Sequence, residues 1–184
     1  TITGLTNGTP ILLRVFAINI AGVGTPTQSI STSAYTVPGA PTALRATGAN
    51  ASVLLSWTAP LNTNGSPVSG YKVERSSDAG ATWITAIANT ANSGTNVVVN
   101  GLTNGTAYTF RVSAINAAGA GDASGSTGAT PLTTASAPTA LTVTGGNTTA
   151  TLAWALPTNN GGASISGYNI DRSSDGGVTW TSVA

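Results

Sequence analysis

GLTNGTAYTFRVSAIN, residues 101–116, holds the clearest structural pattern of the chain. From residue 108 onward apolar and polar side chains alternate, and the apolar positions are Tyr108, Phe110, Val112 and Ala114. Successive side chains of a β-strand point to opposite faces, so the alternation predicts a long strand with one face in a core. The Asn104-Gly105 pair ahead of it is typical of a tight turn. This stretch therefore predicts a β protein.

The same stretch occurs earlier as GLTNGTPILLRVFAIN, and the two copies begin at residues 4 and 101, a period of 97 residues. The same shift aligns Pro41 with Pro138, Trp57 with Trp154, Tyr71 with Tyr168, and Trp83 with Trp180. A period of this length is a whole domain rather than a solenoid unit. We therefore expect a complete module over residues 38–132. Residues 1–37 are expected to form the C-terminal part of a module, strands five to seven, and residues 133–184 the N-terminal part of a third, strands one to four.

The middle module contains seven short segments with strand-like composition, separated by turn residues. The predicted strands lie near residues 42–47, 52–58, 68–76, 82–87, 96–100, 108–114 and 124–131, the last after a glycine-rich turn at 118–121. No segment shows a helical period. Seven short antiparallel strands with turns at this spacing predict an all-β fold, a sandwich of two sheets.

The order and spacing of the apolar landmarks resemble fibronectin type III domains, which have an immunoglobulin-like fold. The residues that carry the resemblance are Trp57, Tyr71, Leu102 and Tyr108, with Trp154 and Tyr168 at the matching positions of the third module. Leu102 and Tyr108 resemble the tyrosine corner, in which the phenol hydrogen-bonds back to the chain before its strand. The first module departs from the pattern, with Ile11 in place of the tyrosine. The resemblance implies tandem seven-stranded sandwiches, as in prokaryotic extracellular or surface proteins, with these residues in their cores.

Two hairpins resemble the Asp-box of sialidases: SSDAGATW at residues 76–83 and SSDGGVTW at residues 173–180. In that motif the aspartate accepts hydrogen bonds from turn amides while the tryptophan packs beneath it. The expected structural residues are Asp78, Trp83, Asp175 and Trp180. Glycan hydrolysis would also need an arginine cluster and a nucleophilic tyrosine, and the five arginines are scattered over three modules. The alternative is that a half-exposed tryptophan ring stacks on a glycan.

Composition excludes most catalytic chemistry. Histidine and cysteine are both absent, which removes the commonest general base, the commonest metal ligand and the thiolate nucleophile. Charged residues make up 6% of the chain and the net charge is +1, so no electrostatic footprint for nucleic acid or an anionic membrane exists. We expect a non-enzymatic protein with no catalytic residue, cofactor or metal site, and with no membrane insertion.

A row of large apolar residues marks a candidate interface in the first module. Alternation on its sixth strand leaves Leu12, Phe16 and Ile18 pointing outward, where the middle module has Thr109, Ser113 and Ile115. One explanation is a contact surface with another molecule. The other is a local patch that an adjacent module or a loop covers.

The expected function is that of a structural or interaction segment of an extracellular repeat protein, a cell-surface rod or filament of stacked sandwiches. The alternative is a spacer or carbohydrate-binding accessory module of a secreted glycoside hydrolase. Residues 1–10 lack the features of a signal peptide, so an export signal would lie outside this segment. The expected partners are copies of the chain or adjacent modules, head to tail, with glycans as the alternative. Residues 1–37 and 136–184 are expected to fold against matching halves from adjacent units, either in a longer chain or between protomers.

Overall fold

A computed structural model describes residues 1–183, which contain strands, turns and loops but no helix. The chain divides into two compact units, Thr1–Pro131 and Leu132–Ala184. The strands of the first unit are β1 (Pro10–Leu13), β2 (Phe16–Asn19), β3 (Gly22–Pro26), β4 (Ile30–Ser33), β5 (Thr42–Ala49), β6 (Ser52–Thr58), β7 (Gly70–Ser76), β8 (Ile84–Ile87), β9 (Asn96–Asn100), β10 (Tyr108–Asn116), β11 (Gly119–Ala123) and β12 (Thr127–Ala129). The strands of the second unit are β13 (Thr139–Gly145), β14 (Ala150–Ala155), β15 (Asp171–Arg172) and β16 (Thr181–Ser182). The all-β prediction is confirmed.

The middle module is a sandwich of two antiparallel sheets. One sheet has the order β5-β6-β9, and the other has the order β11-β10-β7-β8, with β12 also paired to β10. Ten apolar residues, from both sheets and from the loop before β10, form its core: Val53, Leu55, Trp57, Tyr71, Val73, Val99, Leu102, Phe110, Val112 and Ala114. The alternation read from the sequence thus places one face of each strand in the core, as the strand period requires.

The seventh strand starts earlier than the sequence predicts. The chain turns directly after Asn116, whose side-chain oxygen accepts a hydrogen bond from the backbone N–H of Ala118 at 2.8 Å. β11 therefore begins at Gly119, inside the stretch that we expected to be a turn. The strand then breaks at Ser124, whose backbone and side chain both bond to Val112, and continues as β12. The prediction was wrong here because an asparagine-based turn closes sooner than a glycine-rich one would.

The period of 97 residues recurs in the strand registers on either side of the middle module. In the first module Asn19 pairs with Gly22, as Asn116 pairs with Gly119. In the second unit Asp171 pairs with Ser182, as Glu74 pairs with Thr85. Each flanking segment therefore repeats part of the same sandwich. The boundaries at residues 37/38 and 132/133 stay predictions.

Candidate functional site

The residues expected in the core occupy two kinds of environment. Trp57, Tyr71 and Leu102 are buried in the middle module. Trp154 and Tyr168 are half-buried in the second unit. The aromatic pair has the same edge-to-face geometry in both places, with ring centroids 4.9 Å apart for Trp57–Tyr71 and 5.0 Å apart for Trp154–Tyr168. Local packing thus determines the geometry of the aromatic pair, whereas its burial depends on the rest of the sandwich.

Tyr108 closes a local loop at the start of β10. Its phenol oxygen accepts a hydrogen bond from the backbone N–H of Thr103 at 3.3 Å, directly after the buried Leu102. That bond lowers the pKa of the Tyr108 phenol, because it stabilises the phenolate form. The guanidinium of Arg75 lies 5.5 Å from the ring centroid. The first module has no counterpart to this bond, because Ile11 occupies the position.

Replacing Tyr108 with phenylalanine tests this loop closure. Since the ring stays and only the hydroxyl is lost, we expect the free energy of unfolding to fall by about 1 kcal/mol. Urea unfolding followed by tryptophan fluorescence measures the change. An unaltered unfolding midpoint would mean that the Thr103 bond contributes nothing to stability.

The two aspartate hairpins are closed by their own hydrogen bonds. The Asp78 carboxylate accepts from the hydroxyl of Ser76 at 2.5 Å, from the backbone N–H of Thr82 at 2.9 Å and from the Thr82 hydroxyl at 2.5 Å. Asp175 makes the same set of bonds with Ser173 and Thr179. The Ser76 and Thr82 bonds lower the pKa of Asp78 to about 2. A carboxylate held in this way serves the turn and is poorly placed as a proton acceptor. The likeness to sialidase Asp-boxes stays a prediction.

The tryptophans that follow these hairpins have different surroundings. The guanidinium of Arg111 stacks on Trp83, 4.3 Å from the ring centroid, and the ring is half-buried. Trp180 is 64% exposed, and its indole N–H donates to the carbonyl of Gly177 at 3.1 Å. One face of Trp83 is therefore already occupied, which disfavours a glycan platform there.

A charged cluster lies on the outward face of the five-stranded sheet. Glu74 accepts hydrogen bonds from Lys72 at 2.7 Å and from Arg111 at 2.8 Å. The Glu74 side chain is only 12% exposed. Burial raises the pKa of this carboxyl, but the bonds and charges of the two cations outweigh burial and leave the pKa below its ordinary value. We name Lys72, Glu74, Arg111 and Trp83 the outward cluster.

Sequence reasoning did not find the outward cluster. Glu74 faces Arg111 directly across the β7–β10 ladder. Two features of the sequence could have indicated it. Glu74 and Arg111 both alternate with the core residues of their strands, and they carry opposite charges.

The candidate interface residues of the first module are exposed: Leu12 by 72%, Phe16 by 40% and Ile18 by 75%. The guanidinium of Arg14 lies 5.1 Å from the Phe16 ring centroid. At the position of Phe16 the middle module has Ser113, which is buried. Exposure does not single these residues out, because Val15 on the opposite face is also exposed. The interface stays a prediction.

The double variant Leu12→Thr and Phe16→Ser tests the interface. If this row mediates association, the variant should associate at least about tenfold more weakly, because two large apolar contacts are lost. Light scattering over a concentration series measures this, and the unfolding midpoint of the middle module serves as the control for folding. Unchanged association would assign the row to a local patch.

A set of long-range hydrogen bonds joins the first and middle modules. The linker residue Thr36 donates its N–H to the carbonyl of Asn64 at 3.0 Å, and the Asn64 side chain donates to the Val37 carbonyl at 2.7 Å. Asn116 donates its side-chain N–H to the carbonyl of Thr36 at 2.8 Å and to that of Thr63 at 3.1 Å. We name this set the junction: the linker 34–39, the loop 62–66 and Asn116. It fixes the linker to the loop before β7.

The same bonding scheme recurs one period later. In the second unit Thr133 donates its N–H to the carbonyl of Gly161 at 2.9 Å, as Thr36 does to that of Asn64. Ser136 donates to the Asn159 carbonyl at 2.9 Å, as Gly39 does to that of Asn62. Linker and loop are therefore joined in the same way in successive modules.

Two further features are absent from residues 1–183. They hold no group of three acidic, histidine or cysteine side chains that could bind a metal ion. They also contain no helix with the length and hydrophobicity of a membrane span.

The antiparallel sandwich and the hydrogen bonds between linker and loop both recur after 97 residues. These repeats define a modular β-sandwich protein. Residues 39–130 match the model of the fibronectin type III domain, which is half of the chain. The chain belongs to the fibronectin type III family, as the sequence predicted. Myomesin-2 of Homo sapiens is 37% identical over 128 residues, which are 66% of this chain and 9% of that protein.

Two further comparisons agree with this assignment. Fast-type myosin-binding protein C of Mus musculus is 32% identical over 165 residues, 86% of this chain and 14% of that protein. The crystal structure of domains A168–A170 from titin has a TM-score of 0.52 at 25% identity, and the match covers 61% of this chain and 37% of that chain. The chain spans 14% or less of the length of these two curated relatives.

Proposed function

We propose that this chain is a non-enzymatic structural segment of a rod of sandwiches, in which the first and middle modules are held at a fixed angle. The observation that carries the proposal is the junction, in which side-chain and backbone hydrogen bonds tie the linker to the loop of the next module. Linkers rich in glycine and serine that lack such bonds behave as flexible coils. A linker bonded in this way transmits position and force from one module to the next.

The junction also contains a close backbone approach. Gly65 has φ of +88°, and a Cβ at this position would collide with the backbone of Gly8 and Ala34. Gly8 itself donates its N–H to the Ala34 carbonyl at 2.9 Å. Only glycine fits here, both for its backbone conformation and for the space available. A substitution at Gly65 should therefore separate the two modules without touching either core.

Gly65→Ala tests the proposal, with Gly101→Ala as the matched control. Gly101 also has positive φ, +70°, but a Cβ there meets no atom within 4 Å. Both variants carry the same backbone strain, about 1 kcal/mol, and only Gly65→Ala loses the module contact. Because the chain has no cysteine, spin labels at introduced Ser29→Cys and Ser93→Cys report the intermodule distance cleanly.

A narrow distance distribution is expected for the labelled parent and for Gly101→Ala, and a broadened one for Gly65→Ala. An equally broad distribution in all three proteins would contradict a fixed junction. So would an equally narrow one, because the junction contact would then not be what fixes the angle.

The wider setting is part of the proposal. A cell-surface or extracellular rod, joined head to tail with copies of itself or with adjacent modules, is supported by the low charge, since weakly charged surfaces associate readily. A prokaryotic source rests on the composition and the close repeats alone, because the relatives described above are animal proteins. Protease shaving of intact cells tests the location, and protection from the protease would contradict it. A carbohydrate-binding accessory role has less support, because Arg111 covers Trp83.

A further inference from the structure

The middle module has an open edge at β9, the last strand of its three-stranded sheet. The sheet order is β5-β6-β9, so among the described residues β9 has a strand partner on one side only. An open cleft of about 430 Å³ lies beside it, lined by residues of β8 and β9 and by Arg75. Arg75 belongs to the other sheet, and its guanidinium lies 5.5 Å from the centroid of the Tyr108 ring. The edge of β9 itself therefore faces solvent.

The pairing with β6 determines which backbone groups face this edge. The N–H of Trp57 on β6 donates to the carbonyl of Thr95, directly before β9, at 3.0 Å. The register then continues without a shift, and in an antiparallel ladder hydrogen-bonded pairs alternate with pairs that are not bonded. The backbone N–H and C=O groups of Asn96, Val98 and Asn100 thus point away from β6. Such unpaired groups are templates for the addition of another strand.

The sequence of β9 is self-complementary. Residues 96–100 read NVVVN in both directions. Two antiparallel copies of this strand, centred on Val98, place Val98 opposite its own equivalent and Asn96 opposite Asn100. A twofold interface requires this kind of match, since each surface meets a copy of itself. The strand also contains no charge, proline or bulge, which are the features that protect natural edge strands from pairing.

An apolar pair on the outward face of the sheet belongs to the same edge. Leu54 on β6 lies opposite Val98 on β9, and each is 46% exposed. One period away, threonine occupies both positions, since Thr151 matches Leu54 and Thr1 matches Val98. The fold therefore does not need apolar residues here. Their presence in the middle module favours a contact that removes them from water.

We propose that β9 of the middle module pairs antiparallel with β9 of a second copy of this chain. The two sheets then form one continuous sheet with the order β5-β6-β9-β9-β6-β5. Leu54 and Val98 of both copies form an uninterrupted apolar row on its outward face, where cross-strand neighbours stabilise one another. The proposal goes beyond the function proposed above, because it joins modules side by side and does not involve the junction.

Val98→Lys tests the pairing, with Thr47→Lys as the matched control. The 184-residue chain should associate as its concentration rises, which sedimentation velocity measures. Val98→Lys places two like charges opposite each other and removes the central apolar contact, so association should weaken about tenfold or more. Thr47 is exposed and lies opposite Leu54 on β5, at the other edge of the same sheet. Thr47→Lys should therefore associate as the parent does.

Both lysine variants should unfold at the same urea concentration as the parent when measured at high dilution, because both side chains point away from the core. This measurement is the control for folding. An equal loss of association in Val98→Lys and Thr47→Lys would overturn the proposal, since added charge and not the β9 edge would then be the cause.

Disulfide formation tests the register, because the chain itself contains no cysteine. Directly opposed residues of a hydrogen-bonded antiparallel pair have Cα atoms about 5.5 Å apart, which a disulfide can span. Oxidation of Val98→Cys with diamide should therefore give a covalent dimer. Asn96→Cys and Asn100→Cys should not dimerise alone, because each lies about 13 Å along the strand from its own equivalent. A mixture of these two variants should form the mixed dimer.

Three outcomes would overturn the proposal. The parent could stay monomeric at all concentrations. Its association could be unchanged in Val98→Lys, which would assign the contact to another surface. The three cysteine variants could form disulfides equally well alone, which would mean random collision and no register. None of these outcomes bears on the fixed junction, which the spin-label distances test separately.

Discussion

Replacing Phe110 with alanine is expected to lower the free energy of unfolding by about 3–5 kcal/mol. Phe110 is fully buried in β10, with Val112 and Ala114 beside it on the same core face. Truncation removes most of an aromatic ring from the centre of the sandwich. Its neighbours stand on two hydrogen-bonded sheets and cannot close the cavity. Urea unfolding of the parent and the variant, followed by circular dichroism, gives the difference.

Leu54→Ala is the matched control for this core truncation. Leu54 lies on β6 between the buried residues Val53 and Leu55, but it points away from the core and is 46% exposed. We expect a loss of about 1 kcal/mol or less, because much of its surface already lies in water. Similar losses for Leu54→Ala and Phe110→Ala would contradict the assignment of the two faces.

The core could be predicted from the sequence because it depends on short-range order. Alternation along β6, β7 and β10 is enough to assign Val53, Tyr71 and Phe110 to one side of their strands. The 97-residue period then extends the assignment to both flanking segments without any knowledge of contacts. It also anticipates the recurring registers, since identical turns and patterns select identical pairings.

The turn after β10 shows where local reasoning failed. The sequence around Ala118–Gly121 contains two glycines, which favoured a turn there. A side-chain bond from Asn116 turns the chain earlier, and the glycines become part of β11. Asn116 and Gly119 both favour a turn and lie three residues apart, so composition alone does not decide where the chain turns.

The junction could not be predicted from local patterns for a different reason. The bond from Asn116 to the Thr36 carbonyl spans 80 residues of sequence. The local sequence around a loop asparagine is the same whether its side chain caps its own turn or bonds to a distant linker. The recurrence of Asn19 and Asn116 one period apart showed that the position matters, but not which partner it binds.

We expect the outward cluster to stabilise the folded protein at neutral pH. Glu74 is largely buried and bonds to two cations, whose own side chains are about one third exposed. Replacing it with glutamine leaves Lys72 and Arg111 without their shared counter-charge. Since solvent screens both cations in part, we expect a loss of about 1–2 kcal/mol at pH 7.

The pH dependence of this loss follows from the lowered pKa of Glu74. In the unfolded chain the carboxyl titrates near its ordinary value, about 4.3. The folded protein holds the proton more weakly, so the stabilisation is complete above that pH. It is lost as the pH falls through the lower pKa of the folded state. Below both values the protonated carboxyl is close to a glutamine in shape and charge.

Unfolding free energies of the parent and of Glu74→Gln should therefore differ at pH 7 and converge as the pH falls below about 4. Urea titrations at a series of pH values measure both curves. The hairpin aspartates Asp78 and Asp175 also have lowered pKa values, but they are present in both proteins and cancel in the difference. Asp122→Asn is the control, because Asp122 is exposed and forms no ion pair in the described residues. A constant gap between parent and Glu74→Gln across this range would mean that the two cations do not stabilise the charged form of Glu74.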